Sequence, residues 1–567
     1  MKHWGLFAIV VLSGVAAIVV AERQHVDVSP DPAPVVYLVA DTEQELTRMP
    51  VQFTRMSDEE EIRIGDQLAR GYGYEENNNK TPQQIEIENY LNKVGAPLAA
   101  HAHRKLPYRF HYIQDPYFIN AFALPGGHVF VGGGLLALMD SEDELANVLG
   151  HEIEHIDHYH CAERAQREQA LEKIPFGGVF SLPISVFEAG YSKDQELEAD
   201  REGTSLAVQA GYSPSGAIRM FETFQRLYEE IQHRSRSPQA ELSDVAQQTL
   251  DGYFRSHPLP SERIRQIQTL IASENWPVRA ERELEIAYLY YTAQAQRELA
   301  QHNFERAEQL AGRSLKMHGD QLEAWKVLGD AQFSQANFSA AAESYRSFLR
   351  LNTTNNKVIH DFALSLAAAN HESAAGEFKR WAATAAADSG EIKIEQAGLS
   401  ILTGDSPLAK NMLAGVSIDD GEHSLPTMQG EIGWWYYMAG DYDTASTVLE
   451  RAYQERPEDR QIILHSAWAL MEQKRYADAM NRLQSIGYTQ QNISASEQMA
   501  LRAVVKWQTQ ESDGALADFN SAYIGTPEWK NSKWVKALYS PLVFKSVEEI
   551  KAESERREKL RLASLHH

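Results

Sequence analysis

The sequence predicts a mainly α-helical protein with two parts: a domain that contains a small β-sheet and two ligand-bearing helices, and a helical solenoid that follows it. Three observations support this prediction. The pattern HExxH lies in an amphipathic helical segment, an acidic helical segment follows about forty residues later, and small and aromatic residues recur every 34 residues beyond about residue 285. A chain of 567 residues is too long for one core, so several domain-sized units are expected.

The first ligand helix is predicted to begin at Ser141, and it carries His151, Glu152 and His155 in the order HExxH. Residues four apart lie on one face of a helix, so both imidazoles can reach one zinc ion while Glu152 faces the attacking water. Ser141 with Glu144 predicts a capping box at the start of the helix. A separate apolar stripe predicts the side that faces the core: Leu145, Leu149, Ile153 and Ile156.

HExxH alone arises by chance too often to identify a metal site, so a third ligand is needed. The second ligand helix is predicted to supply it. Glu196, Asp200, Gly203 and Ala207 fall on one face of this helix. Small residues in line with Glu196 allow a close approach to another backbone, as a carboxylate needs in order to reach a metal on a neighbouring helix. We therefore predict Glu196 as the third ligand. Asp200 is expected to hydrogen-bond a ligating histidine or to stabilise the reacting centre.

Four motifs occur in an order that marks a family: HExxH, Glu196 with Asp200, the stretch Asn120–Val131, and Ser256–Pro258 with Arg263. With these motifs, the chain from about residue 50 to 275 resembles the HtpX-type zinc metallopeptidases. The resemblance implies a gluzincin-type metallopeptidase domain, which we place at residues 51–280, with one Zn²⁺ per chain.

Alternating polarity before the first ligand helix predicts the strands of the small β-sheet, at residues 109–114, 120–124 and 128–131. A strand placed there could pair its free edge with an extended peptide. We therefore expect Asn120, Ala121 and Phe122 to form a substrate edge strand. An ordinary hairpin is the alternative.

His257 and Arg263 follow the second ligand helix in the sequence, and each has a predicted role. His257 would occupy the open position of the zinc ion as a fourth ligand and hold the enzyme inactive, and a surface loop histidine is the alternative. Arg263 would pair with a carboxylate or a developing oxyanion, or form a structural salt bridge.

His158 and His160 are expected to be solvated, since His158 lies about 10 Å along the helix axis from His151. The broken apolar stretch 174–189 predicts either a mobile lid or core packing.

Residues 281–525 are predicted to form an α-helical TPR solenoid, that is, an array of tetratricopeptide repeats, with degenerate repeats between 380 and 425. The residues that recur at 34-residue steps are Ala295, Gly329 and Ala363; Phe304 and Phe338; Ala307, Ala341 and Ala375; Gly433 and Ala467; Tyr442 and Tyr476; Ala445 and Ala479. Such an array offers a concave surface to a protein partner. Residues 526–567 are predicted to be a charged helical tail.

Composition and the N-terminus limit the compartment and the partners. A net charge of -25 without a basic stripe argues against nucleic acid as a partner. The apolar run 4–21 predicts a signal peptide at residues 1–21, and an inner-membrane anchor is the alternative. Prolines in residues 22–50 predict an extended arm or linker. Cys161 is the only cysteine, which excludes an intramolecular disulfide.

These observations predict a zinc metalloendopeptidase exported to the periplasm. His151, His155 and Glu196 would hold zinc, and Glu152 would act as the general base. The resemblance implies that the substrates are misfolded outer-membrane proteins, and that the TPR surface binds these clients or the outer-membrane assembly machinery. The alternative is a chaperone or adaptor in which the solenoid does the work and the zinc site is silent.

Overall fold

A computed structural model describes most of the chain, namely residues 56–71, 80–115, 118–172, 191–234, 260–385, 389–414, 416, 425–484 and 493–565. The chain divides into two compact units, Met1–Leu284 and Glu285–His567. Four predictions lie outside the described residues: the signal peptide, the arm at 22–50, the lid at 174–189 and His257. No helix in the described part of the chain is long and apolar enough to cross a membrane.

The first unit contains helices and a three-stranded sheet. Its elements in order are α1 Asp58–Gly71, α2 Pro82–His101, β1 Arg109–Ile113, β2 Ala121–Leu124, β3 His128–Gly132, α3 Gly133–Leu136, α4 Glu142–Asp157, α5 His160–Glu172, α6 Lys193–Gln209, α7 Ser215–Arg234 and α8 Pro260–Ser273. The predicted mainly α fold with a small sheet is confirmed.

Among the described residues the sheet has the order β1-β3-β2, so β3 is its central strand there and β2 lies at an edge. β1 runs parallel to β3, and β2 runs antiparallel to it, with Phe122 opposite Phe130. The rings of these two residues stack with their centroids 5.1 Å apart. All four residues of β2 are buried, and this strand packs against α4.

Helix α4 begins where the sequence predicts, but its cap differs from the prediction. The Ser141 side chain accepts a hydrogen bond from the Glu144 N–H, as in a capping box. The Glu144 carboxylate instead accepts from the backbone N–H of Asp140, at 2.9 Å, so the reciprocal half of the box is missing. Helix α6 has the complete capping box, formed by Ser192 and Gln195.

The second unit consists of paired helices. Its helices are α9 Ala287–Ala300, α10 Phe304–Met317, α11 Leu322–Ser334, α12 Phe338–Leu351, α13 Asn356–Ala369, α14 His371–Thr384, α15 Gly390–Leu402, α16 Ser406–Leu413, α17 Leu425–Met438, α18 Tyr442–Glu455, α19 Arg460–Glu472, α20 Tyr476–Gln484, α21 Ile493–Gln508, α22 Ser512–Gly525, a 3₁₀ turn Pro527–Lys530, α23 Ser532–Leu538 and α24 Pro541–Leu565.

Packing between paired helices explains the small residues of the repeats. A Cβ at Gly329 would lie 2.6 Å from the Tyr345 ring, and one at Gly433 would lie 2.4 Å from Leu449. A side chain at either position would therefore force the paired helices apart.

The stretch predicted as a charged tail, 526–567, begins inside the solenoid core. Trp529, Val535, Val547 and Ile550 are buried in the same hydrophobic cluster as residues of α19 and α21. Only the described part beyond about residue 555 has the exposed, charged character that we predicted. This stretch carries apolar residues at helical spacing between its charged ones, and these apolar residues cover the last repeat.

Candidate metal centre

Helices α4 and α6 bring the three predicted ligands to one point. Nε2 of His151 lies 3.5 Å from one carboxylate oxygen of Glu196, and Nε2 of His155 lies 3.5 Å from the other. The two imidazole Nε2 atoms are 3.1 Å apart. All three side chains are buried, and one donor atom from each lies within 4.8 Å of the others. Two imidazoles and one carboxylate converging in this way suit a tetrahedral zinc ion that keeps an open position.

Two glycines allow this convergence. A Cβ at Gly150 of α4 would lie 2.5 Å from the carbonyl oxygen of Gly203, and a Cβ at Gly203 would lie 2.5 Å from the backbone nitrogen of His151. The close approach that the sequence predicts for the small residues of α6 is therefore present at Gly203. Gly150, its counterpart on α4, was not identified from the sequence, although it directly precedes the HExxH pattern.

Asp200 fixes the orientation of His151. Its Oδ1 lies 2.9 Å from Nδ1 of His151, which directs Nε2 of that ring toward Glu196. Burial by itself would raise the pKa of Asp200, but the Arg263 guanidinium and His151 hold that pKa below its ordinary value. Asp200 is therefore ionised, as its predicted role as the hydrogen-bond partner of a ligating histidine requires.

Arg263 donates two hydrogen bonds to Asp200, from Nε at 2.6 Å and from the terminal nitrogen Nη2 at 2.5 Å. The guanidinium is 2% exposed, and it lies over the Phe221 ring with its carbon 4.3 Å from the ring centroid. This bidentate geometry favours the structural salt bridge among the alternatives for Arg263. His257, the hypothetical fourth ligand, lies outside the described residues and stays a prediction.

His160 holds the second imidazole, which the sequence did not suggest. Its Nδ1 lies 3.0 Å from Nδ1 of His155, and the side chain is buried at 5% exposure rather than solvated. The expectation was wrong because it treated the region as one continuous helix. Helix α4 ends at Asp157, and Tyr159 has a φ of 63°, so the chain turns back and places His160 against His155.

The aromatic ring of Tyr191 completes the surroundings of His155, whereas His158 pairs with Glu154. His158 is partly exposed, and its Nε2 lies 3.1 Å from Glu154. Tyr191 stacks on the His155 ring at a centroid distance of 3.9 Å, and its hydroxyl lies 3.1 Å from the Cys161 sulfur. Burial raises the pKa of the Cys161 thiol well above its ordinary value, so this sulfur remains protonated at neutral pH.

Glu152 lies beside the ligands and is 2% exposed. Burial raises its pKa to about 7, although the neighbouring His151 acts in the opposite direction. The backbone of Ala123, on the edge strand β2, also acts to lower this pKa. A carboxylate with a pKa near neutrality is suited to accept a proton from water and return it.

An apolar cavity opens next to Glu152. Its polar lining comes from Asn147, His151, Glu152, Asp200, Thr204 and Arg263, and its larger apolar lining from Ala121, Leu135, Val148, Ala217, Met220, Phe221 and Phe224. Of the three residues predicted as a substrate edge, Ala121 and Phe122 lie on β2, and Asn120 directly precedes it. The cavity and the edge strand therefore meet at Ala121.

Comparison with known proteins identifies both parts of the chain. Residues 86–271 match peptidase family M48, and residues 292–356 and 436–504 match tetratricopeptide repeats. The chain thus carries an M48 peptidase domain followed by TPR repeats, which confirms the predicted resemblance and the two-part fold class. An M48 peptidase domain also implies a metal ion, for which the two histidines and Glu196 form a candidate site.

Similar curated proteins match over part of their length. The beta-barrel assembly-enhancing protease of Escherichia coli is 29% identical over 199 residues, 31% of this chain and 37% of that protein. A Vibrio cholerae protein, provisionally given the same name, is 32% identical over 36% of this chain and 43% of its own. The mitochondrial metalloendopeptidase OMA1 of Schizosaccharomyces pombe is 29% identical over 37% of this chain and 58% of its own. The match spans less than half of either bacterial relative.

Proposed function

We propose that this chain is a zinc-dependent endopeptidase, exported to the periplasm, that acts in the quality control and assembly of outer-membrane proteins. The observation that carries the peptidase assignment is the buried convergence of His151, His155 and Glu196 beside Glu152. The names of the bacterial relatives support the choice of beta-barrel proteins as the substrate class.

His151, His155 and Glu196 would hold the zinc ion. When bound, zinc supplies Lewis acidity to the scissile carbonyl and lowers the pKa of water towards about 7. Glu152 takes a proton from the attacking water and passes it to the leaving amine. Asp200 keeps His151 in the tautomer that leaves its Nε2 lone pair toward the ligand cluster, because Nδ1 donates to the carboxylate.

An extended peptide would pair with the edge strand β2 and pass directly over Glu152. Backbone pairing with an edge strand binds peptides with little regard to sequence, as a quality-control enzyme requires. Because the apolar cavity begins at Ala121, one substrate side chain next to the scissile bond would enter it. We therefore expect cleavage next to apolar residues, which unfolded clients expose and folded ones bury.

The repeats would bind the clients or the outer-membrane assembly machinery. Tetratricopeptide arrays are protein-binding solenoids, and the chain's net charge of -25 makes nucleic acid an unsuitable partner. Residues 1–21 would direct export and be removed, so N-terminal sequencing of the mature periplasmic protein should begin after Ala21. A mature chain that retains residues 4–21 would favour the inner-membrane anchor.

Casein cleavage and metal content, measured on the same purified samples, test this function. Glu152→Gln should keep the wild-type zinc content but lose at least about 100-fold in cleavage rate, because only the base is removed. Glu196→Gln should lose both zinc and cleavage. Glu202→Gln, on the same helix but partly exposed and paired with Arg201, is the matched control and should keep both.

Unchanged cleavage in Glu152→Gln would overturn the proposed enzyme. If that variant loses cleavage of casein but still restores outer-membrane protein assembly in a deletion strain, the chaperone or adaptor function is favoured instead.

A further inference from the structure

A second group of ligand-type side chains lies in the solenoid unit. His360 on α13 and the pair Glu391 and Glu395 on α15 each bring one donor atom to within 4.8 Å of the others. Nδ1 of His360 lies 2.8 Å from Oε1 of Glu395. The two glutamates are four residues apart, so they lie on one face of α15 and point toward the same neighbour.

The burial of Glu395 is the feature that calls for a ligand. This side chain is 0% exposed, and its second oxygen, Oε2, has no hydrogen-bond partner. Leaving a buried acceptor unsatisfied is costly, and buried carboxylates in proteins are normally paired or coordinate a metal. Glu391 is also buried, at 5% exposure, so both carboxylates of the pair are desolvated.

The charged groups that act on His360 are carboxylates. Besides Glu395, the carboxylates of Asp361 and Glu431 act on His360. Lys357 lies 3.8 Å from Asp361 and reduces part of this negative field. A divalent cation would satisfy the second oxygen of Glu395 and suits a site lined by carboxylates.

We propose that His360, Glu391 and Glu395 form a divalent-metal site that ties α13 to α15. One imidazole nitrogen and two carboxylates suit Zn²⁺ or Mn²⁺ better than Mg²⁺ or Ca²⁺, which prefer all-oxygen ligands. The His360 side chain is 33% exposed, so the site is open to solvent on one side and can take water as a further ligand.

The location gives the site a structural purpose. Residues 360–395 lie between the two segments that match tetratricopeptide repeats, 292–356 and 436–504. The metal would therefore link helices where the regular repeat pattern is interrupted, and it would raise the stability of the junction.

Metal counting on the full-length chain tests this site independently of peptidase activity. The protein is stripped with chelator, reloaded with Zn²⁺, dialysed and measured by plasma mass spectrometry. We expect two zinc equivalents in the wild type, one in His360→Gln, one in Glu395→Gln and one in Glu196→Gln. The double variant Glu196→Gln with Glu395→Gln should retain none. Glu372→Gln, an exposed acidic position on α14, is the matched control and should retain two.

If both His360→Gln and Glu395→Gln keep the zinc content of the wild type, the proposed second site is overturned. A second measurement avoids dependence on the folding of these variants. In Glu196→Gln, Zn²⁺ or Mn²⁺ should raise the melting temperature of the chain by several degrees, while Mg²⁺ should not. The absence of a Zn²⁺ or Mn²⁺ shift would mean that a proton on His360, rather than a metal, balances Glu395, and would equally overturn the proposal.

Discussion

Gly150 and Gly203 lie in backbone contact, with room for a Cβ at neither position: each added carbon would come within 2.5 Å of the other helix. The first residue directly precedes the candidate ligand His151, and the second lies two turns beyond the candidate ligand Glu196. The distance between the two ligand helices is therefore set by this pair of glycines. Because a carboxylate reaches only a few ångströms from its helix, this close approach decides whether three ligands can share one ion.

Gly203→Ala should separate α4 from α6 and weaken zinc binding. The added carbon would meet backbone atoms that cannot move aside, so we expect a loss of stability of about 1–3 kcal/mol and at least about tenfold weaker zinc binding. Chelator competition and urea denaturation measure the two effects. In Gly312→Ala, the control, nothing lies within 4 Å of the new carbon, so stability should rise by roughly 0.5–1 kcal/mol. Wild-type zinc affinity in Gly203→Ala would contradict this account.

Asp200→Asn should lower zinc affinity by about 10- to 100-fold, because the amide no longer supplies the charge that holds His151. It should also destabilise the fold by about 3–5 kcal/mol, since it leaves the Arg263 guanidinium buried without its ion-pair partner. Adding Arg263→Met to Asp200→Asn separates these two effects. The double variant should regain stability but not zinc affinity, and recovery of both would mean that Asp200 matters only through its salt bridge.

His160→Ala should weaken zinc binding by about tenfold, because His155 loses the group that orients its Nδ1. His160→Gln should recover part of the affinity, since an amide can still hydrogen-bond that nitrogen. The matched control is His158→Ala, which removes a partly exposed ring two residues away that pairs with Glu154. Equal losses in the His158 and His160 variants would indicate a general effect on helix α5 rather than orientation of the ligand.

Acid should destabilise the peptidase unit through His111. Burial lowers the pKa of His111 to about 3, so the ring is neutral in the folded state but protonates in the unfolded state below about pH 6.5. Its contribution to stability is therefore lost as the pH falls from 6.5 toward 3, by about 2 kcal/mol between pH 7 and pH 5.

The measurement is urea denaturation at pH 7 and pH 5, with chelator present so that metal release contributes nothing. His111→Gln keeps a partner for His128, which lies 2.9 Å away, and removes the titration, so its loss of stability between the two pH values should be smaller. His101→Gln, at an exposed histidine on α2, should behave as the wild type. An identical pH dependence in all three proteins would refute the assignment.

Local patterns were sufficient for much of the architecture. The HExxH spacing, the helix start at Ser141 and the 34-residue recurrences all reflect geometry within one helix or one repeat, which the sequence alone encodes. The reciprocal cap that we predicted for Glu144 does not form. Its carboxylate bonds Asp140 instead, a choice between two nearby N–H groups that spacing cannot distinguish.

By itself, the sequence predicted which three side chains converge at the candidate metal site, which carboxylate lies beside them, and the repeat solenoid, because each depends on residue type at helical or repeat spacing. Tertiary structure alone decided that His160 lies against His155, that Asp200 is the carboxylate with which Arg263 pairs, and that Val547 and Ile550 belong to the core. Those contacts join residues from separate elements, and they depend on distances between packed helices that no local pattern encodes.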